Sequence, residues 1–413
     1  MSKCIITAAA LAVGLLLQTQ GFTQVPINPG TSASTAADAA TTSDPEKAVR
    51  KTWHAVMKNI PLPGSGCFHA SYPNVAWDRV ECKKAKPRAH PLPVNRTVGA
   101  PGAGNGNDYV AQVQGLITAA DGKFFISGVT SETDVPPCNE CGSLPLPNEY
   151  SLQLNTNDLT PTGTPLQTAA CGDYSACHVW QQFMYATDYI KLGQGAIFMQ
   201  YWLYDWTGLC PTGWSTVFDI VANGTPGTEI CYTNSNVLPV PDIPVTNLGD
   251  VILSASAVSG GDDTVWLEYG DDSWAVSNAD SSAPCCSGGL DIASVWKQAE
   301  FNVVGDMNST QAQFNAGAQI TVLLAIDDGS ESAPTCPNNL GTTGETNNMT
   351  LGACQTGAAT ELSFGGCANQ SNCIGWTTTL PYIEFSEYVP VPSTPCLSCG
   401  GGGGRPSPPP IAP

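Results

Sequence analysis

Apolar positions along this chain follow two periods. Val49, Trp53, Val56 and Ile60 recur at helical spacing, with Lys47, Arg50, Lys51 and Lys58 around them. That spacing predicts a short basic amphipathic helix. From Tyr109 to Val389 the period changes to short apolar or alternating runs separated by Gly, Asn, Asp and Ser. The runs are Tyr109 to Ile117, Tyr150 to Leu154, Trp180 to Tyr185, Ala196 to Tyr204, Val251 to Val258, Thr264 to Tyr269, Ser273 to Val276, Ala299 to Val304, Gln319 to Ile326 and Tyr382 to Phe385. Only Ile292 to Lys297 hints at a second helix. Many strands with polar turns around one core predict an all-β fold, a two-sheet antiparallel β-sandwich preceded by a short N-terminal helix.

The two ends follow other rules. Lys3 precedes an apolar run from Ile5 to Leu17, which reads as a secretory signal peptide over residues 1–24, too short for a spanning helix. No later run has membrane length, so the expected protein is secreted, extracellular or periplasmic, with no membrane contact after signal cleavage. Residues 25–96 read as a Ser/Thr/Ala/Pro-rich linker followed by a basic pro-segment that contains the helix. Residues 97–395 read as the sandwich, and 396–413 as a Gly/Pro tail that cannot bury a core.

Cysteine usage fits an oxidising compartment. Without Cys4 the chain has sixteen cysteines, an even number, and disulfides are their default fate in an exported protein. Cys67 with Cys82, Cys171 with Cys177 and Cys367 with Cys373 are the nearest pairs. The Cys-x-x-Cys pairs Cys138/Cys141 and Cys396/Cys399 lie too far apart for a compact zinc ribbon, so the sequence calls for no metal and no cofactor.

Charge is split along the chain. Residues 1–96 carry +6 and the remainder −26. Opposite charges on one chain attract at neutral pH and loosen as carboxylates protonate, the electrostatics of an acid-activated zymogen whose basic N-terminal segment partners its own body. The body's charge repels phosphate, which argues against nucleic acid.

Catalytic chemistry has few candidate residues. The four histidines are His54, His69, His90 and His178, and three lie in the basic segment. A Ser-His-Asp triad or a histidine metal site is therefore poorly supplied, and carboxylates with amides become the better candidates. Three segments place such groups inside apolar aromatic runs: Val179-Trp180-Gln181-Gln182-Phe183-Met184-Tyr185, then Phe198-Met199-Gln200-Tyr201-Trp202-Leu203-Tyr204, and finally Gln298-Ala299-Glu300-Phe301-Asn302-Val303-Val304. A buried amide or carboxylate costs about 1–3 kcal/mol unless it is paired, so each needs a reason.

These three segments, in this order, resemble the glutamic peptidases, the acid-acting eqolisin family. The Glu300 segment is similar to the family's Asn-Ala-Glu-Phe-Ile-Ile strand, and Leu248-Gly249-Asp250-Val251-Ile252 is similar to its Gly-Asp-Ser-Ile strand. The resemblance covers roughly residues 105–325 and implies a concanavalin A-like, jelly-roll type sandwich with Gln and Glu facing one groove. It implies Glu300 as the general acid and base that activates water on a polypeptide substrate. It implies Gln181, or Gln182 as the alternate, as the amide that stabilises the tetrahedral oxyanion. Trp180, Gln200 and Trp202 become groove candidates. Two departures stand out: Phe183 replaces the family's glycine if Gln181 is the match, and Gln200 replaces a glutamate. A one-residue slip turns a strand side chain to the opposite face, so the choice between Gln181 and Gln182 stays open.

The second reading is a non-catalytic sandwich that binds glycans or cell-surface polymers. In it Trp202, Trp206 and Trp214 stack on sugar rings, and Asp262, Asp263, Asp271 and Asp272 sit at turns where calcium could bind. Either reading expects a monomer. The sequons at Asn95, Asn223, Asn308, Asn348 and Asn369 bear only on glycosylation.

Overall fold

The computed structural model describes residues 45–86, 108–135, 146–160, 162–217, 228–279, 290–306, 310–338, 343, 346–359, 362–363, 376–377 and 379–392. The expected signal peptide, most of the linker, the Gly/Pro tail and Cys138, Cys141, Cys285, Cys286, Cys367, Cys373, Cys396 and Cys399 lie outside the described residues.

Two large antiparallel sheets dominate, as the alternating runs predict. The nine-stranded sheet runs in the order Asp78–Val80, Gly66–Ser71, Asp272–Ala279, Asp262–Tyr269, Val251–Ser256, Ala119–Ser127, Gln319–Asp327, Tyr382–Tyr388 and Thr350–Gly357. The eight-stranded sheet runs Ser215–Val217, Thr228–Asn234, Gln194–Thr207, His178–Lys191, Tyr150–Thr156, Gln298–Gly305 and Val110–Gln112, with Leu238–Pro241 also paired to Gln194–Thr207. Side chains from both sheets fill one core. Phe124 of the first sheet stacks on Phe301 of the second at 4.6 Å, and Leu152, Leu154, Phe183, Val303, Val265 and Leu267 are buried in the same cluster. Gly122 is required by this contact, because a Cβ there would lie 2.4 Å from the Phe301 ring.

All ten predicted runs contain strands. The expected helix at Ile292 to Lys297 is instead a single 3-10 turn, Ile292–Ser294. Ala119–Ser127 is a central strand that the pattern misses, since Asp121-Gly122-Lys123 reads as a turn.

The N-terminal helix spans Pro45–Lys58. Trp53 and Met57 are its buried residues, four apart and so on one face, and they pack on Phe68, Ala70, Trp77 and Ala275. Val49 and Val56 are exposed, so the helix is rotated from the expected stripe. Its polar side chains meet acidic groups of the nine-stranded sheet and its turns: Lys58 pairs with Asp121, Arg50 with Asp271, and His54 Nδ1 lies 4.0 Å from Glu268.

The basic segment is more deeply built in than the sequence suggests. Gly66–Ser71 is hydrogen-bonded to Asp272–Ala279 over six residue pairs, so the sandwich begins well before residue 97. The physical reason is the Gly66-Cys67-Phe68-His69-Ala70-Ser71 alternation, which puts Cys67 into the main core and Phe68 under the helix. Replacing Trp53 with Ala should therefore cost about 3–5 kcal/mol in global denaturation, as for a core aromatic. An unchanged denaturation midpoint would show that the helix is not part of the cooperative unit.

Cys67–Cys82 and Cys171–Cys177 form, as does a pair at Cys210–Cys231 and another at Cys336–Cys354. Each closes a loop of the chain and stabilises the fold by about 2–4 kcal/mol. Among the described residues, no helix is long and apolar enough to cross a membrane.

Candidate active site

Register decides which polar side chains meet. Across the eight-stranded sheet Asn234 pairs with Gln200, Gln200 with Gln182, Gln182 with Asn155, and Asn155 with Glu300. Residues directly opposite one another share a face. These five side chains therefore form one continuous row across five strands, on the face turned away from the main core.

Gln181 does not belong to that row. Its side chain points between the sheets, where Nε2 donates to Asp263 Oδ2 on the nine-stranded sheet at 2.9 Å. The expectation that Gln181 faces Glu300 is corrected by strand alternation, and Gln182 is the glutamine of the pair on the Glu300 face. Gln182 does not touch Glu300 directly. Two strand spacings, about 10 Å, separate their backbones, and Asn155 stands between them.

Hydrogen bonds fix the polarity of the row. Trp202 Nε1 donates to Gln182 Oε1 at 2.9 Å, and since an indole N–H can only donate, the Gln182 oxygen must face it. Gln182 Nε2 then donates to Gln153 Oε1 at 2.9 Å, and Gln153 Nε2 donates to Ser151 Oγ at 3.0 Å. Asn155 Nδ2 donates to Glu300 Oε2 at 3.1 Å and to Gln153 Oε1 at 3.3 Å. Gln200 Nε2 donates to Asn234 Oδ1 at 2.6 Å, and Asn234 Nδ2 to the Lys86 carbonyl at 3.1 Å. Gln153, Asn155, Gln182, Gln200 and Glu300 are all buried.

Aromatic side chains border the row. Trp180 and Trp202 lie 5.6 Å apart, and Trp202 lies 5.2 Å from Tyr232. Both tryptophans are fully buried, so they wall the row rather than offer an open stacking surface. His178 stacks on Tyr204 at 5.0 Å and holds Nε2 3.2 Å from Asp158 Oδ2, a buried pair at the edge of the same aromatic group.

Acidic groups gather at the Glu300 end. Asn302, two residues along the same face, donates from Nδ2 to Asp108 and, at 2.9 Å, to Glu387 Oε1. Asn347 Nδ2 donates to Glu387 Oε2 at 3.0 Å. Burial pushes the Asp108 carboxyl above its usual range, opposed by hydrogen bonds with Asn302 and Glu300. Burial, helped by the charge of Asp108, pushes Glu387 up to about 8 against the donors Asn302 and Asn347.

Known proteins add little to this geometry. No family model matches the chain, and no curated protein matches it. Two crystal structures of scytalido-glutamic peptidase are similar to it. The one with a peptide based transition state analog has a TM-score of 0.26 and 12% identity, covering 68% of this chain and 97% of that one. The one with a transition state analog inhibitor has a TM-score of 0.25 and 11% identity over the same shares. Both similarities fall below the level at which fold or chemistry transfers between proteins.

Metal ligands are scarce at the row. Among the described residues, Cys210, Glu229 and Cys231 lie close enough to hold an ion, but the two cysteines are joined in a disulfide. The acidic turn residues are engaged by the protein: Asp262 with Ser65 and Ser277, Asp263 with Gln181, Asp271 with Arg50, and Asp272 with His69.

Sequence reasoning missed Gln153, Asn155, Asp108, Asn302 and Glu387. The first two carry the signal used elsewhere, amides within an apolar strand, in Tyr150-Ser151-Leu152-Gln153-Leu154-Asn155. Asp108 and Glu387 carry no such signal, because Asp108 reaches the site from just before Val110–Gln112 and Glu387 from Tyr382–Tyr388.

Proposed function

We propose that this chain is a secreted, acid-acting endopeptidase of glutamic type. The observation that supports the reading most is the buried Glu300 carboxyl at the end of a row of side-chain amides. Glu300 takes a proton from water as the water attacks the peptide carbonyl, and later returns it to the leaving amine. Asn155 holds the carboxyl through its Oε2. Gln182, its oxygen locked by Trp202, offers the remaining Nε2 hydrogen to the developing oxyanion. Trp180, Gln200 and Trp202, all fully buried, brace the row from behind.

In the glycan-binding reading Trp202 is buried and Trp214 nearly so, as Glu300 and Gln182 are in the peptidase reading, while Trp206 is half-buried, so activity decides between the two. Purified protein should digest casein or haemoglobin at about pH 3, where a carboxylate base still functions. Binding to a glycan array with no cleavage would reverse the choice.

The two glutamines give a sharper test. Gln182→Ala should lower kcat by about 10²–10³-fold with little change in KM, as for an oxyanion donor. Gln181→Ala should instead lower stability by about 1–3 kcal/mol, through loss of the buried hydrogen bond to Asp263, and leave kcat unchanged. Equal kinetic losses in both variants would sink the face assignment.

Maturation belongs to the same proposal, in altered form. Lys86 and Asp108 lie at the Asn234 and Glu300 ends of the row, and the sequence between them includes Arg88 and Arg96. A cut near Arg88 to Arg96 would leave residues 45–86 held by the Gly66–Ser71 strand and the helix contacts. Acid incubation should therefore yield a new N-terminus while both pieces co-elute in size exclusion.

A further inference from the structure

The polarity of the amide row is set from two sides. On one, Trp202 Nε1 fixes the Gln182 oxygen. On the other, Ser151 Oγ donates to the Gly305 carbonyl at 2.8 Å, and since a hydroxyl has one hydrogen it can only accept from Gln153 Nε2. Gln153 Oε1 is therefore turned toward two donors, Gln182 Nε2 at 2.9 Å and Asn155 Nδ2 at 3.3 Å. All four side chains are buried.

We propose that Gln153 is the positioning residue of this site: its Oε1, shared by Gln182 and Asn155, fixes which way both amides point and so ties the oxyanion donor to the group that holds Glu300. The inference rests on the reading of Glu300 and Gln182 as the reacting pair. With Gln153 Oε1 on one side and Glu300 Oε2 at 3.1 Å on the other, Asn155 Nδ2 faces two acceptors. Turning that amide over would set three oxygens together. The bond to Gln153 also uses one hydrogen of Gln182 Nε2 and leaves the other for the substrate.

Asn155 carries the sign that its orientation is imposed. Its Oδ1 is buried and finds no donor among the described residues, at a cost of about 1–3 kcal/mol. An unconstrained amide would turn to relieve that cost. Gln153 bonds to Ser151, Asn155 and Gln182, none of which titrates. The ionisable groups at this end of the row are Glu300, Asp108 and Glu387, and the last two are held by Asn302. Along the hydrogen bonds, a change at Gln153 therefore reaches Glu300 through Asn155.

The test uses the full chain with 15N-labelled side-chain amides, followed by NMR from about pH 2 to 8, a span that covers usual and raised carboxyl ionisation. The Asn155 signal is the one lost in Asn155→Asp, and its step with pH is the one lost in Glu300→Gln. In the wild type that step should be present. Gln153→Met keeps the length of the side chain but not its acceptor. In it the step should vanish, the acid limb of kcat/KM should move up by about one pH unit or more, and kcat should fall by about 10²-fold.

Gln153→Glu separates orientation from loss of fold. While protonated, its carboxyl keeps one acceptor for the two amides and one donor for Ser151, so activity and the Asn155 signal at about pH 3 should stay near wild type. Equal losses in the two variants overturn the proposal. So does a fall in kcat in Gln153→Met with the Asn155 step and the acid limb unmoved, which would make Gln153 a group that meets the substrate itself. The expected NMR result in a protein that cleaves no peptide would keep Gln153 as the orienting residue and defeat the peptidase reading. Cleavage with an unaltered Asn155 step in Gln153→Met would do the reverse.

Discussion

Exchanging Glu300 for Gln should abolish peptide cleavage at acid pH, with kcat/KM falling by about 10³-fold or more, while thermal melting changes little. The glutamine oxygen can still accept from Asn155 Nδ2, so the packing that buries the residue survives. What is lost is the ability to take a proton from water and return it to the leaving amine. Such proton transfer contributes about 10²–10⁴-fold in enzymes, and among the described residues the neighbouring carboxyls are poor substitutes. Asp108 and Glu387 are both pushed toward their protonated forms, and a protonated acid cannot act as the base. Retention of more than about a tenth of wild-type turnover in Glu300→Gln would remove Glu300 from the mechanism. A parallel loss of melting temperature would assign it a structural role instead.

Raising the pH from about 4 to about 9 should strip several kcal/mol of stability from the fold. The largest contributor lies outside the amide row. Glu132 is buried beside Asp134, Glu149 and Asp306, and burial together with those charges raises it from 4.5 to about 9. Asp134, in the same cluster, is raised from 3.8 to about 7, mainly by burial. Glu387 is raised to about 8.

In each case the folded-state value lies above the unfolded one. Below the unfolded values, near 4, both states are protonated and the full stability is present. As the pH rises, the unfolded chain ionises first and gains free energy that the folded chain cannot match. The loss continues until the pH passes the folded values, between about 7 and 9. A carboxyl that ionises one pH unit later in the folded chain than in the unfolded one costs about 1.4 kcal/mol, and typical domains have only about 5–15 kcal/mol in total. Melting measured at about pH 4 and about pH 8 should differ by about 10 °C or more. Glu132→Gln, which keeps shape and removes the titration, should flatten the dependence. A melting temperature that holds or rises toward neutrality would contradict it.

The acid bias is thus written into the buried carboxyls rather than into the charge split alone. The split is visible in the sequence, and the helix does carry cations onto acidic groups of the nine-stranded sheet and its turns. Those contacts lie on the outer face of that sheet, whereas the amide row lies on the outer face of the other. The basic helix therefore does not cover Glu300.

Particular elements show where pattern reading stops. Gln319–Asp327 and Val251–Ser256 are legible because their apolar runs are long and bounded by turn residues. Ala119–Ser127 is not, because Asp121-Gly122 mimics a turn; in the fold Asp121 meets Lys58 and Gly122 makes room for Phe301. Gly66–Ser71 is hidden by the basic residues around it, yet it is a full member of the sheet. Glu300 is a candidate from its place in an apolar strand. Its row of amides is not, because Asn155 and Gln182 become its neighbours only through pairings distant in sequence.

Local chemistry determined the strand-rich class, the position of the helix, two of the nearest disulfides and the candidacy of Glu300 with the Gln181/Gln182 pair. Those properties depend on alternation, turn residues and short loop closure, all contained within a few neighbouring positions. Tertiary structure decided the rest: that Gln182 and not Gln181 shares the face of Glu300, that Asn155 stands between them, and that Asp108 and Glu387 arrive from elsewhere in the chain. Strand register is a long-range property, and moving a strand by one residue exchanges its two faces.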